Sequence, residues 1–146
     1  EVVVARGQNL RPVRLTASVD DRRLTSYVAD GLIASTATGS TAYALAAGGP
    51  LLPPELRNIL LVPIAPHLSV DRAVVLSEGS SVSIVVNSEN SVLSVDGQLP
   101  TPLMGDDQVK VTVADVTAQF VRFGDPGYFY RNLTAHMNEN SLGFPR

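Results

Sequence analysis

Short apolar runs, most of them four to eight residues long and each ended by a turn signal, constrain this chain more than any other feature of its 146 residues. Val13, Leu15, Ala17 and Val19 alternate with Arg14, Thr16 and Ser18, which is the period of a half-buried strand. Asp20-Asp21-Arg22-Arg23 then turns the chain into Leu24 to Ala29, and the pair reads as a hairpin. Further strands are expected at Val2 to Ala5, Gly31 to Ser35, Ile59 to Val62, Ala73 to Leu76, Ser81 to Val86, Ser91 to Val95, Gln108 to Val113 and Thr117 to Phe123. Asn87-Ser88-Glu89-Asn90 joins two of these, and Asp96-Gly97 suits a type I′ hairpin turn. Helix signals are confined to Ser40 to Ala47, closed by Gly48-Gly49-Pro50, and to a stretch near Tyr128 to Met137. The expected fold is therefore mainly β: an antiparallel, multi-stranded, β-sandwich-like domain with one short helix and a C-terminal helical segment.

Length fits a single domain able to bury its own core, and residues 1–146 are expected to form it. With 45% apolar and 17% charged residues, the chain has the balance of a folded globule. Eleven basic residues face fourteen acidic ones without a Lys/Arg cluster to track a phosphate backbone, so nucleic acid is not an expected partner. Cysteine is absent, which excludes disulfides, thiolate metal sites and a cysteine nucleophile. No apolar run approaches the roughly 18 residues that span a bilayer, and no charged-then-apolar leader opens the chain, so no membrane is expected and the reading is cytoplasmic. Glu1, not Met, opens the chain directly into a strand pattern, which reads as an excised fragment, with a natural processed terminus as the alternative.

One segment, Asp30 to Pro50, carries the candidate chemistry: a strand, a hydroxyl-rich turn, then a helix of small residues. The start of such a helix offers unpaired N–H groups and partial positive charge, suited to a phosphate or another polar group. Thr38 or Ser40 could equally cap it and satisfy those donors internally. No Lys precedes Ser40-Thr41, so the segment is not a nucleoside-triphosphate P-loop. Ala42, Ala44, Ala46, Ala47, Gly48 and Gly49 permit close backbone approach, either to a packed neighbour or to a flat ring. Tyr43 alone would ordinarily be a core aromatic with its hydroxyl tethered.

Asp30-Gly31-Leu32-Ile33-Ala34-Ser35-Thr36-Ala37-Thr38-Gly39-Ser40-Thr41-Ala42-Tyr43, running on to Gly48-Gly49-Pro50, resembles the signature of the C-terminal domain of the NAD kinase family. Glu1-Val2-Val3 looks like the end of that family's Asn-Glu motif. Pro63-Ile64-Ala65-Pro66-His67 looks like its Pro-x-x-Pro-His segment, Ser94-Val95-Asp96-Gly97-Gln98 like its Val-Asp-Gly-Gln turn, and Phe120-Val121-Arg122-Phe123 like its closing strand. The resemblance implies that the adenosine of NAD is held between this β domain and an N-terminal α/β domain, and that the ribose 2′-hydroxyl receives a phosphoryl group from ATP or polyphosphate. It further implies that Asp30, Thr41, Ala42, Tyr43, Ala44, Leu45 and Ala46 line the nucleotide site, with Gln98 approaching from its turn, Glu1 as the acidic member of the Asn-Glu pair, and Arg11 as a further contact.

Asp30 makes chemical sense as an acceptor of ligand protons, with a turn-forming Asp before Gly31 as the alternative. For Asp96-Gly97 the turn is the better reading, which leaves Gln98 as the functional residue. Ala37, Ala44 and Ala46 stand where the family signature has Pro and two Ser, so only backbone or apolar contacts remain there. The Gly-Gly-Asp-Gly-Thr motif with the family's catalytic Asp does not occur in these residues. The base, and the divalent metal, Mg in the expected chemistry, would therefore belong to the absent N-terminal domain, leaving no catalytic residue here and a fragment inactive alone. His67 and His136 lie far apart without a carboxylate set, so no metal site is expected, and no Gly-x-Ser-x-Gly elbow is present. Two other readings stay open: the β domain of a diacylglycerol- or sphingosine-type lipid kinase, and a non-catalytic β-sandwich interaction module. A homo-oligomer is expected from the apolar runs Ile59 to Val62 and Ala73 to Leu76 together with the resemblance.

Overall fold

The computed structural model describes residues 1–8, 11–67, 70–121, 123, 124 and 127–133. The chain divides into two compact units, Glu1–Val113 and Ala114–Arg146. The first contains β1 (Val2–Arg6), β2 (Val13–Val19), β3 (Arg22–Ala29), β4 (Gly31–Ser35), β5 (Leu60–Ile64), β6 (Val74–Val75), β7 (Val82–Val86), β8 (Ser91–Val95), β9 (Thr101–Leu103) and β10 (Gln108–Val111). A 3-10 turn, Thr38–Thr41, and a one-turn helix, α1 (Tyr43–Ala46), follow β4. The strands form two antiparallel sheets, a six-stranded one in the order β6-β5-β4-β1-β8-β9 and a four-stranded one in the order β10-β7-β2-β3.

Period-two alternation explains how these sheets pack. In β2, Val13, Leu15 and Ala17 turn inward while Arg14 faces solvent, as the sequence pattern predicts. They meet Tyr27, Ala29, Val82, Ile84 and Val86 of the same sheet and Val4, Leu32, Ala34 and Leu61 of the six-stranded sheet, closing one core between the two layers. The intervening residues of the six-stranded sheet, Val3, Ile33, Leu60 and Val62, point to its other face and build a second cluster with Ala37, Ala44 and Leu52. All five residues of β4 are buried because both its faces are covered, a pattern usually met in parallel sheets. The apolar run at residues 59–62 is spent entirely on these two cores, so it offers no surface for the subunit contact it was expected to supply.

Turns fix the hairpins. Asp20 and Asp21 both have positive φ, 48° and 60°, and so do Asp96 and Gly97, 47° and 72°, as two-residue I′ turns require. The Ser81 amide at 2.8 Å and the Ser80 hydroxyl at 3.0 Å donate to the Asp20 carboxylate, and these bonds hold its carboxyl below the ordinary value. They also tie the β2–β3 turn to the start of β7. Tyr27 lies fully buried between the sheets; its hydroxyl has no hydrogen-bond partner among the described residues, and burial pushes its phenol up.

Three expectations are corrected. Residues 117–121 and 123 are not a strand; Val121 is 83% and Phe123 99% exposed, and no described strand pairs with them, without which no ladder can form. Strand β9 was not anticipated, because Pro102 interrupts its run; an edge position tolerates the missing donor. The continuous helix expected over Ser40 to Ala47 is instead the 3-10 turn and α1, broken at Ala42. In the second unit residues 128–133 are helical; the rest of that expected helix, 134–137, and Arg122 and His136 lie outside the described residues. Among the described residues no helix is long and apolar enough to cross a membrane.

Candidate functional site

The second cluster leaves a surface above it, and the chain from Ser35 to Pro50 forms that surface. Strand β4 delivers Ser35 beside the start of β1, since Val2 pairs with Ala34. The chain then tightens at once into the 3-10 turn. Gly39 is needed there, because a Cβ on it would come within 2.5 Å of Ser35 Oγ and 3.5 Å of Glu1 Cβ. Ser40 is fully buried; its hydroxyl donates to the Ala37 carbonyl at 2.6 Å and accepts from the Leu52 amide at 2.9 Å. It thus pins the turn to the segment after the helix and does not cap the helix. Thr38 does not cap it either; neither short helix has a side-chain cap from its own N-cap residue.

The cap comes from far away in sequence. Glu1 Oε1 accepts from the Tyr43 amide and Oε2 from the Ala44 amide, each at 3.3 Å, across 42 and 43 residues. The helix start that could have met a ligand anion is therefore held by the protein's own carboxylate. At the end of α1 the chain leaves through Gly48 at φ 86°, and Gly49 packs so closely that a Cβ would lie 2.8 Å from the Ala44 carbonyl oxygen. Ala44 is fully buried, whereas Thr41, Ala42, Tyr43, Leu45 and Ala46 are exposed, Tyr43 by 45% and Leu45 by 41%. The Tyr43 ring is thus a surface group, not the core aromatic its residue type would ordinarily suggest.

Gln98 joins this end of the sheet through the β8–β9 turn. Val95 pairs with Val2, and the Asp96 amide donates to the Glu1 carbonyl at 2.9 Å. Gln98 closes the turn by donating its amide to the Val95 carbonyl at 2.9 Å, and its own carbonyl accepts from Ser94 Oγ at 2.8 Å. Glu1, Thr41 to Ala46 and the Gln98 turn are thereby brought together.

Asp30 and Arg11 lie elsewhere. Asp30 sits at the β3–β4 junction, at the opposite end of β4, which is about 16 Å long at roughly 3.3 Å per residue. Its carboxylate pairs with Arg6 Nε at 3.2 Å, and its carbonyl accepts from the Arg6 amide at 2.9 Å. Arg11 is exposed on the connection between β1 and β2. The His67 amide donates to the Val28 carbonyl at 2.8 Å, a loop anchor. Among the described residues no group of three His, Cys, Asp or Glu could hold a metal ion, so these residues do not fit a metal of their own.

The chain is thus an antiparallel sandwich whose outer face presents a Gly/Ser/Thr turn, held by a distant carboxylate and open to solvent. Residues 1–123 match the ATP-NAD kinase C-terminal domain, and the chain belongs to that family. It is 43% identical over 131 residues to an NAD kinase of Heliobacterium modesticaldum, covering 88% of this chain and 46% of the relative. It is 38% identical over 142 residues to an NAD kinase of Dehalococcoides mccartyi, covering 97% of this chain and 50% of the relative. Its fold is similar to a crystal structure of an NAD kinase from Archaeoglobus fulgidus in complex with ATP (TM-score 0.81, 28% identity, 94% of this chain and 53% of that chain). It is also similar to yeast NADH kinase complexed with NADH (TM-score 0.70, 37% identity, 75% of this chain and 32% of that chain). The chain spans about half the length of the curated relatives it matches. Nothing in these relatives supports the lipid-kinase reading.

Proposed function

We propose that this chain is the NAD-holding and oligomerisation domain of an NAD kinase, with a catalytic α/β domain supplied by the other half of the polypeptide. The rim Thr41 to Ala46, exposed except at Ala44, fixed against Glu1 and flanked by the Gln98 turn, carries the reading. An adenosine-bearing dinucleotide suits such a surface. Tyr43 and Leu45 offer apolar area to a flat ring, the small side chains of Ala42 and Ala46 let the ring reach the backbone, and the Thr41 and Gln98 side chains offer hydrogen bonds to sugar and base edges. The relatives' names and the NADH- and ATP-bound neighbours support the same ligand class.

In the reaction proposed, the ribose 2′-oxygen of NAD attacks the γ-phosphorus of ATP, or the terminal phosphorus of polyphosphate. The bond from that phosphorus to its bridging oxygen breaks, ADP or the shortened chain leaves, and the 2′-hydroxyl proton passes to a base outside this chain. A divalent metal, when bound, would neutralise phosphate charge from the other half; this chain's own work is to bind and orient the nucleotide. Asp30 and Arg11, at a distance from the rim within one chain, take part in the same reading as more remote nucleotide contacts. A homo-oligomer and a cytoplasmic setting belong to it as well, with the subunit contact lying away from the buried residues 59–62.

The test is NADP formation from NAD and ATP. The longer polypeptide containing this chain is expected to turn over, and residues 1–146 alone to give no NADP. Turnover by the isolated chain, or none by the longer one under any donor, would overturn the proposal.

A further inference from the structure

The chain contains two Asp-Gly pairs, Asp30-Gly31 and Asp96-Gly97, and the fold treats them differently. An Asp followed by Gly is open to an internal reaction, because Gly has no side chain to shield its amide nitrogen from the neighbouring carboxyl carbon. We propose that Asp96-Gly97 is a self-modification site, which converts to isoaspartate and thereby loosens the Gln98 side of the nucleotide surface. The chemistry stands on the turn alone; its effect on the nucleotide rests on the proposed function.

Ring closure between Asp and Gly needs an unbonded amide nitrogen, backbone outside a ladder, and space. Asp96-Gly97 lies between β8 and β9, outside both strands, and the Asp96 side chain is 71% exposed. The Gly97 amide donates no hydrogen bond among the described residues, since the turn is closed by the Gln98 amide on the Val95 carbonyl. Apart from chain neighbours, no atom comes within 4 Å of the place where a Cβ on Gly97 would lie, so nothing crowds the ring as it forms. Asp30-Gly31 is closed on each count. The Asp30 carboxylate pairs with Arg6 Nε at 3.2 Å, and Gly31 is buried in β4, paired on both sides by β1 and β5. A Cβ on Gly31 would lie 2.8 Å from the Val4 carbonyl oxygen. Reaction there must wait for local opening of the sheet.

In the step proposed, the Gly97 nitrogen attacks Cγ of the Asp96 carboxyl in its acid form. A nitrogen–carbon bond forms, the carbon–hydroxyl bond breaks, and the hydroxyl leaves as water with the amide proton. Water then opens the resulting succinimide. Opening at Cγ returns Asp96; opening at the main-chain carbonyl leaves the chain running through the side chain, as isoaspartate of unchanged mass. Only water enters, so no oxidant or cofactor is needed. The product has one more main-chain atom between the Asp96 amide, which donates to the Glu1 carbonyl, and the Gln98 amide, which donates to the Val95 carbonyl. That atom breaks the two-residue register of the turn and shifts Gln98 relative to Thr41 to Ala46.

The experiment ages the longer polypeptide that contains this chain for several weeks at neutral pH and physiological temperature. Isoaspartate is located by peptide mapping after labelling with an isoaspartyl-specific carboxyl methyltransferase, and kcat and KM for NAD are followed with ATP as donor. Isoaspartate at residue 96 is expected to exceed that at residue 30 by at least about tenfold, because only the second pair needs prior opening. Isomerised protein should show KM raised about fivefold, with kcat within about twofold of fresh protein. Asp96→Asn, which closes the same ring with loss of ammonia, should convert sooner than the native chain. Asp96→Glu would need a larger ring and should keep its own starting KM throughout. Aged native protein and aged Asp96→Asn without isoaspartate at residue 96, or equal amounts at both pairs, would overturn the proposal. Unchanged KM in isomerised protein would overturn its link to Gln98. A fresh enzyme without NAD turnover would instead sink the functional reading, while the isoaspartate map would still decide the chemistry.

Discussion

The inner and outer faces of the six-stranded sheet are built from alternating residues of the same strands, yet they are held by different forces. Inward, Leu32, Ala34 and Leu61 meet the second sheet across an apolar layer in which buried area supplies the stabilisation. Outward, Ile33, Leu60 and Val62 start a smaller cluster, and the cover over it is thin: a 3-10 turn, one helical turn and two glycines. That cover is kept in place by a few polar contacts, Ser40 to Leu52 and Glu1 to Tyr43 and Ala44, and it keeps Tyr43 and Leu45 in solvent. A face closed by side-chain packing has nothing left to offer a ligand. A face closed partly by backbone and hydroxyl contacts leaves side chains in solvent, and the proposed nucleotide site draws on those.

Matched substitutions at adjacent residues break this comparison most strongly. Leu61 and Leu60 are both fully buried, the first facing inward and the second outward. Each change to Ala is expected to cost about 3 kcal/mol in urea denaturation. Only Leu60→Ala should also raise KM for NAD in the longer enzyme, because it removes the support beneath Ala44. Equal effects on KM from both would erase the distinction between the faces. Next in size, Ser40→Ala strands the buried Leu52 amide and should cost about 2 kcal/mol, again with weaker NAD binding. A stability loss under about 0.5 kcal/mol would show that the cover does not depend on that hydroxyl. The smallest change has the opposite sign: Tyr27→Phe removes a buried hydroxyl without a described partner and should raise stability by about 1 kcal/mol, leaving nucleotide binding untouched. A destabilised variant would reveal a partner for that hydroxyl.

Regular alternation made the inner face legible. Strands β2, β4 and β8 fall at the residues expected, because period-two patterning and the turn chemistry of Asp20-Asp21 and Asp96-Gly97 are local properties. The Thr41 to Ala46 segment was legible from its hydroxyls, small residues and family resemblance. What holds it was not: the Glu1 cap spans more than 40 residues, and the Asp96 amide reaches back to the Glu1 carbonyl, so no local pattern announces them. Pro102 hid an edge strand for a related reason, since its tolerance depends on which neighbour the strand has. Apolar alternation at 117–123 mimicked a strand but has no described partner to pair with. The run at 59–62 looked like an interface because apolar composition alone does not distinguish a doubly covered strand from an exposed patch.

Amide chemical shifts of the longer polypeptide, recorded as NAD is added, address most directly whether the outer face is where nucleotide binds. Shifts concentrated at Thr41 to Ala46 and around Gln98, with Leu15, Ala17 and Ile84 of the opposite sheet unmoved, are the expected result. Saturable binding that leaves the Thr41 to Ala46 amides unperturbed would contradict it.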